Sequence, residues 1–555
     1  MEKTQKNNRY KFHVIIVFLL ILFCAGIAPK ALQNDTFYTI KVGEYISQNG
    51  IGNLKEDPFS WIELPYTFPH WLYDLIIYSI YSIAGMNGIY ASTIVLTCIL
   101  GISIYFTSNK ISKNAPISAI VTFIAMYLIK PYLAARAQLV TFSFMCLTIY
   151  LIEKYLENAK KRYAIGLIIF SLLIVNLHMA VWPFFFVLFL PYFAEYFISL
   201  DIINFDLIIK LKMLLLKDKE KNAEKIKELQ SRLEDNKVKR EKVKKNPYKI
   251  TVTRNDNVKK LFIVMLICIC MGIFTPTGIT TPYTYLYKTL TGNTMTVINE
   301  HLPLEIENNK EFVAFFVVYI LLLTFVDIKI SAKHLFYYIG ILFLAISARR
   351  QVSMFLIICT PILAKIIGDI FEKYAPKLQE NVIKIAIDFY SKVILTTLLI
   401  IVLIQNIKVR KSEEYYTNND YPIKAAAWIK ENLDYKNIKL FNEYNYGSYL
   451  LFEEIPIMID SRCDLYTPQY NTKTGKTKDG QDIFMDVQNV GTGAEDYKEV
   501  FAKYGITHVI TYSNSNLNKK IQKDKNYEKI YPTTVEEKEQ DDRFTIYERI
   551  VENNQ

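Results

Sequence analysis

The chain lacks most of the signatures by which a catalytic sequence declares itself. No glycine-rich phosphate loop, no Ser-His-Asp order and no zinc-ligand spacing occurs, which sets aside the usual marks of phosphate-cradling NTPases, triad hydrolases and zinc enzymes. Cysteine is scarce: of seven, six (Cys24, Cys98, Cys146, Cys268, Cys270, Cys359) lie inside apolar runs, and only Cys463 lies in the polar C-terminal part. Neither a disulfide framework nor a metal site follows from that spacing. No internal repeat stands out. No pair of short hydrophobic segments broken by glycine or proline occupies corresponding halves of the chain, the arrangement that marks many transporters, and few ionisable residues fall in the middle of apolar runs.

What the chain has is apolar length. Hydrophobic residues make up 51% of it, in blocks of about twenty, the length a bilayer core demands of a helix. The fold class is therefore a polytopic α-helical membrane protein. A net charge of +11 would point to nucleic acid in a soluble chain. Here much of the basic excess flanks hydrophobic blocks, where it marks the cytoplasmic side, and no nucleic-acid partner is implied. A basic tip (Lys3, Lys6, Arg9, Lys11) precedes an apolar run from Phe12 to about Ala28, which Pro29 and Lys30 end without a convincing small-residue cleavage site. It reads as an uncleaved anchor, so the polar loop from Asn34 is external.

The segment Trp71 to Met86 carries Asp74 and four aromatics in sixteen residues, and is either a short span or a helix lying on the outer membrane surface. The surface reading places Lys110, Lys113, Lys154, Lys160, Lys161, Arg162 and the lysine-rich stretch from Lys210 to Lys260 in the cytoplasm. Counting the segment as a span reverses them all, against the positive-inside bias. Residues 1–409 are thus expected to form about eleven spans plus a juxtamembrane helix within 34–86, including runs at Ala164–Val175, Val181–Leu200 and Leu261–Phe274. The N-terminus is cytoplasmic, at the plasma membrane, and residues 410–555 are extracytoplasmic.

Three polar regions remain. Residues 210–257 form a charged cytoplasmic insertion in which Lys217 to Lys245 has no glycine or proline and places Ala223, Ile226, Leu229 and Leu233 at helical spacing. It reads as a helix that is either a docking arm for a cytoplasmic protein or a solvated insertion, the thin stripe favouring the second. Residues 275–310 are a long external loop rich in tyrosine and turn residues, and long loops are often functional. Residues 410–555 alternate expected helices (Pro422–Leu433, Tyr446–Glu453, Glu495–Tyr504, Asn516–Lys523) with β-branched stretches (Ile438–Phe441, Pro456–Ile459, Thr507–Thr511, Phe544–Ile550), an α/β domain.

The chemistry concentrates in the external parts. Asp35 follows the anchor directly and Asp57 lies in Lys55-Glu56-Asp57-Pro58. Either carboxylate can act as a general base toward an acceptor hydroxyl or amine, or coordinate a divalent cation beside a phosphate leaving group. The structural alternatives are that Asp35 caps a helix starting at Thr36 and that Asp57 only makes a turn. Arg349, Arg350 and Arg136 stand at external ends of apolar runs, where arginine forks onto a lipid phosphate or snorkels. His178 ends a run and reads first as a packed histidine, while Glu300 and His301 form an acid and base pair in the long loop. In the tail Gly447 is expected to allow a tight turn after the first strand. Asp460 and Arg462 end the second strand, where ligands often sit in α/β sheets, or pair with one another.

Several short motifs together resemble a known family. They are Asn34-Asp35-Thr36-Phe37-Tyr38, Gly43-Glu44-Tyr45-Ile46, Asp57-Pro58-Phe59-Ser60-Trp61, His70-Trp71-Leu72-Tyr73-Asp74, Arg136-Ala137-Gln138, Asn176-Leu177-His178, Asn299-Glu300-His301, Ala348-Arg349-Arg350-Gln351, Phe441 to Leu450 and Ile459 to Tyr466. Their order resembles the GT-C superfamily of membrane glycosyltransferases, in particular bacterial dolichyl-phosphate-mannose mannosyltransferase-like members. The resemblance implies a donor of polyprenyl-phosphate-linked sugar drawn from the lipid bilayer, a catalytic carboxylate at Asp35, and juxtamembrane helices. Metal-dependent members carry an acidic motif in the second external turn, and Lys130 to Gln138 has no acidic residue. No cofactor is therefore required by this reading, and a divalent cation and its ligands stay open.

The expected activity is an inverting transfer with Asp35 as base and Asp57 beside it, and with the lipid phosphate on Arg349, Arg350 or Arg136. His70, His178, Glu300, His301, Tyr446, Asp460 and Arg462 are expected to line the substrate site. A non-catalytic assembly protein of the same fold is the alternative, and a lipid or solute transporter the weaker one.

Overall fold

The computed structural model describes residues 2–53, 56–199, 209, 212–213, 222–244, 250–307, 309–471, 481–541 and 543–550. Apolar blocks become helices, as the absence of water in a bilayer core requires of the backbone. Among the described residues seven helices are long and apolar enough to cross a membrane, and two shorter apolar ones, Phe312–Phe325 and Ala332–Ser347, accompany them. The expected runs near 164–175 and 261–274 also form helices, Lys161–Leu177 and Asn257–Cys270. The run from Val181 is interrupted: Trp182–Val187 and Leu190–Ser199 are separate helices, because Pro191 has no N–H to continue the ladder. Its expected end, Leu200, lies outside the described residues.

Trp71–Ser112 is one long element broken at Gly85, whose φ of +57° and ψ of −149° are non-helical and open to a residue without Cβ. The break falls one residue before the boundary expected at Met86, and it sets residues 71–84 apart from the helix that follows. That first segment lies across the helix Asn34–Asn49 so closely that a Cβ on Gly43 would stand 2.1 Å from the Asp74 carbonyl. Of the charged insertion, Ala223–Lys244 is helical with an Arg232–Glu228 ion pair at 2.8 Å; Lys217–Lys221 and Lys245 of the expected helix lie outside the described residues. The 275–310 loop contains the helix Thr281–Leu290 and a turn at Asn299–His301.

The C-terminal part carries a four-stranded sheet in the order β3-β4-β6-β5: β3 (Leu440–Phe441), β4 (His508–Tyr512), β5 (Tyr527–Tyr531) and β6 (Phe544–Arg549). β3 and β4 are parallel and the other pairs antiparallel. β1 (Ile250–Thr251) and β2 (Ile330–Ser331) form a separate parallel pair among the membrane helices. The helices expected in the tail are found as Ile423–Asn432, Tyr444–Phe452, Tyr497–Tyr504 and Asn516–Ile521. β5 was not expected, since Tyr527-Glu-Lys-Ile-Tyr531 is an edge strand with charged residues on its face.

Two tail expectations are corrected. Pro456–Ile459 is extended but joins no sheet. Its backbone is held instead by Asn442, which accepts from Met458 N at 2.8 Å and donates to Ile459 O at 2.7 Å, and by the first loop, where Trp61 N donates to Ile457 O at 3.0 Å. Every buried backbone group needs such a partner, and here two distant segments supply them. Gly447 makes no turn: it lies inside the Tyr444–Phe452 helix, and a Cβ there would meet Ile459 O at 2.0 Å. The constraint is close approach, not backbone freedom.

Packing joins the first loop to the tail. Phe37 is fully buried, with its ring centroid 4.9 Å from Tyr421, 5.2 Å from Tyr449 and 5.4 Å from Phe452, contacts that add to the area term. Replacing Gly447 by alanine is expected to lower the melting temperature of the purified protein, an overpacking loss of ~1–3 kcal/mol or more. Gly491→Ala, where a Cβ meets nothing within 4 Å, should leave it unchanged or raise it. Equal melting curves for the two variants would overturn the close-approach reading.

Candidate active site

Asp35 sits in the first turn of the Asn34–Asn49 helix, whose N-cap is Gln33. It therefore does not cap a helix beginning at Thr36. Its carboxylate instead meets Arg136, the extended residue that precedes the Ala137–Asn158 helix, with Nη2 2.5 Å from Oδ2. The same guanidinium reaches Glu300 Oε1 at 3.5 Å. Three segments far apart in the chain thus meet on one cation.

The two adjacent arginines diverge. Arg349 is spent on the long loop: its Nε donates to Pro303 O at 3.2 Å, Nη1 to Asn299 Oδ1 at 2.5 Å, and Nη2 pairs with Glu305. Arg350 faces the interior, and its Nη1 lies 2.7 Å from His301 Nε2. A guanidinium only donates, so Nε2 accepts and His301 is neutral with its proton on Nδ1. Burial, assisted by Arg350, pushes the His301 pKa down to about 4, in keeping with that tautomer. Among the described residues no carboxylate lies within ion-pair distance of Arg350; Glu300 and Asp464 act on it from farther away.

These groups line a cavity of about 300 Å³. Asp35, Arg136, Arg350, Glu300 and His301 share its wall with His70, His178 and Arg462. The His70 and His178 rings meet edge to face at 5.0 Å. His178 Nδ1 lies 2.8 Å from Thr141 Oγ1, whose own proton goes to Ala137 O, so Nδ1 is the donor and Nε2 keeps its lone pair. Burial lowers both imidazoles, His70 to about 4 and His178 well below its usual value.

Asp57, Asp460, Tyr446 and Arg349 do not reach this wall. Asp57 and Asp460 are buried partners of Arg462, whose Nη1 donates to Asp57 Oδ1 and Nη2 to Asp460 Oδ2, each at 2.6 Å, while Nε reaches Asp460 Oδ2 at 2.9 Å. The rings of Tyr66 and Phe59 lie 4.8 and 5.2 Å from the same guanidinium. Removing the arginine from such a triad leaves two buried carboxylates uncompensated, a cost of ~3–5 kcal/mol. Tyr446 is core: its hydroxyl donates to Ile510 O at 2.8 Å.

The structure adds residues that the sequence reading passed over. Asp464 accepts from the Tyr285 hydroxyl and from Thr289 Oγ1, each at 3.0 Å, so the tail grips the long loop at the cavity edge. Burial raises its pKa, and these two hydrogen bonds work the other way. Tyr444 and Tyr66 complete the wall. Asp464 and Tyr444 stand inside the motifs already quoted, and their only signal was that position. Among the described residues no three carboxylate, imidazole or thiol groups converge as a metal ion would need. Asp35 and Glu300 are both held by Arg136.

No family model and no curated protein sequence matches the chain. Solved structures do match. One is the oligosaccharyltransferase AglB from the archaeon Archaeoglobus fulgidus in complex with an inhibitory peptide and a dolichol-phosphate, at 11% identity and a TM-score of 0.51 over 90% of this chain and 69% of that one. Another is the Archaeoglobus fulgidus oligosaccharyltransferase tethered to an acceptor peptide containing the NVT sequon, at 12% identity and a TM-score of 0.52, with the same coverage. The chain shares the fold of these oligosaccharyltransferase structures. With seven apolar helices of spanning length among the described residues, the chain is a multi-pass membrane protein. Its cavity lies where the first loop, the long loop and the tail meet.

The lowered histidines give a pH dependence. An unfolded imidazole protonates near its ordinary value of 6.5, whereas His70 in the folded chain does so only near pH 4. Below 6.5 the unfolded chain therefore binds more protons, and stability falls as pH drops from 6.5 toward 4. The melting temperature of the purified protein should decline over that window, and His70→Gln combined with His178→Gln should flatten the decline. An unaltered slope in the double variant would count against the neutral pair.

Proposed function

We propose that this protein is a glycosyltransferase that moves a sugar from a polyprenyl-phosphate donor to an extracytoplasmic acceptor. One observation carries the reading: a single cavity wall presents a positioned carboxylate, Asp35, and an arginine, Arg350, that has no carboxylate partner among the described residues. The second is what a lipid phosphate needs, and guanidinium binds phosphate by paired charge-assisted hydrogen bonds. Two solved structures of the same fold point the same way, one holding a dolichol-phosphate and a peptide, the other an acceptor peptide.

In this reading the donor phosphate lies against Arg350, which neutral His301 holds in place, and Arg136 orients Asp35. The acceptor oxygen or nitrogen attacks the anomeric carbon from the side opposite the phosphate, while Asp35 takes its proton. The bond between that carbon and the phosphate oxygen breaks, the lipid phosphate leaves with the electron pair, and configuration inverts. Stabilising the leaving charge with a preorganised cation is worth several kcal/mol of barrier. Histidines held neutral line the site without adding charge beside the donor. Arg462, Asp460 and Asp57 act as positioning residues for the first loop.

Lipids extracted from cells expressing the native chain or Asp35→Asn at equal abundance give the test by mass spectrometry. A polyprenyl-phosphate sugar accumulating only with Asp35→Asn is expected and would name the donor; Arg350→Gln should accumulate the same lipid. Identical pools under conditions where the pathway runs would favour a non-catalytic assembly protein of the same fold. Orientation has its own test. Glu528→Cys, exposed on β5, should react with a membrane-impermeant maleimide on intact cells, and Lys225→Cys on the charged helix only after permeabilisation. The reverse pattern would place the cavity in the cytoplasm.

A further inference from the structure

A second polar cavity of about 410 Å³ lies at the other end of the helix bundle. The Ala137–Asn158 helix shows the separation. Its first residues, Ala137 and Gln138, line the active-site cavity, and Leu156 and Glu157 line the second. At 1.5 Å per residue the two lie about 30 Å apart along the helix, the thickness of a hydrocarbon core. The positive-inside reading puts this end in the cytoplasm.

The second cavity is basic after its ion pairs are counted. Three lysines on the wall are taken: Lys110 by Glu157 at 2.6 Å, Lys333 by Glu153 at 2.7 Å, and Lys365 by Asp369. Lys113 and Lys329, also on the wall, have no carboxylate within ion-pair distance among the described residues, and both are exposed. The floor carries unmet polar atoms. His334 is only 7% exposed, and its Nε2 is buried without a hydrogen-bond partner; Ser331 Oγ is likewise buried and unpartnered, although the residue stands at the N-cap of Ala332–Ser347. A buried polar atom left without a partner costs free energy, and these two face a cavity edged by free cations.

We propose that this cavity binds a phosphate group, supplied by an anionic lipid headgroup or by a soluble phosphate ester, on the membrane face opposite the active site. Lys113 and Lys329 supply the charge at the rim, and His334 Nε2–H and the Ser331 hydroxyl donate to phosphate oxygens at the floor. An anion is the ligand class that satisfies free cations and donor groups together; a cation would find each carboxylate already paired. Thr251 of β1 and Ser331 of β2 lie on the same wall. β1 belongs to the C-terminal end of the 210–257 insertion, so the cavity wall includes part of that insertion. The site stands independently of the transfer reaction.

The test uses the purified full-length chain in phosphatidylcholine nanodiscs. In one arm pyrophosphate is titrated by calorimetry; in the other, nanodiscs doped with phosphatidic acid are compared by native mass spectrometry for retained lipid. Saturable binding is expected in at least one arm, soluble or lipid according to the source. The rim variant Lys113→Gln/Lys329→Gln, which changes only exposed side chains, should weaken it at least about tenfold, and so should His334→Ala. Lys160→Gln, an exposed lysine outside the cavity, should not. Absence of binding in both arms, or equal losses in Lys160→Gln and the rim variant, would overturn the proposal.

Discussion

The assembly depends on the buried guanidinium of Arg462. It joins Asp57 of the first loop to Asp460 of the tail, partners 405 and two residues away in sequence. Charges removed from water persist only where paired and hydrogen-bonded, so this triad exists only when loop and tail are in register. The Trp61 to Ile457 hydrogen bond and the aromatic cluster around Phe37 reinforce the register it sets. The cavity is the space left between the parts that this contact brings together.

Within that space charge is distributed unequally. Arg136 is shared between Asp35 and Glu300, Arg349 is consumed by the long loop, and Arg350 alone keeps its charge free of a carboxylate partner among the described residues. Its anchor is an imidazole held neutral by burial, which fixes the side chain without cancelling its charge. Two arginines adjacent in sequence have opposite duties because the turn at Arg349–Gln351 sends their side chains to different walls.

Much of this was legible because bilayers impose strong patterns. Apolar blocks, flanking lysines and polar residues at the ends of runs located the helices and singled out Asp35, Arg136 and Arg350 as candidates, and the structure brings those three to one cavity. Asp57 could not be told from Asp35 by residue type or loop position; a partner 405 residues away decides its burial. Gly447 read as a turn because glycine usually is one, while the actual constraint is a carbonyl 2.0 Å from where its Cβ would stand. Pro456–Ile459 read as a strand because it is apolar and β-branched, yet its hydrogen bonds go to Asn442 and to the first loop. Tertiary partners, which leave no periodicity, account for each miss.

The pairing of the first loop with the tail also bears on biogenesis. Asp57 and Ser60 leave the ribosome long before Ile457 and Arg462, and until the tail is made the loop has neither its buried counter-charge nor its backbone partners. A nascent chain can therefore form its helices and still lack the cavity. The tail, made after the helices, is the segment that closes it.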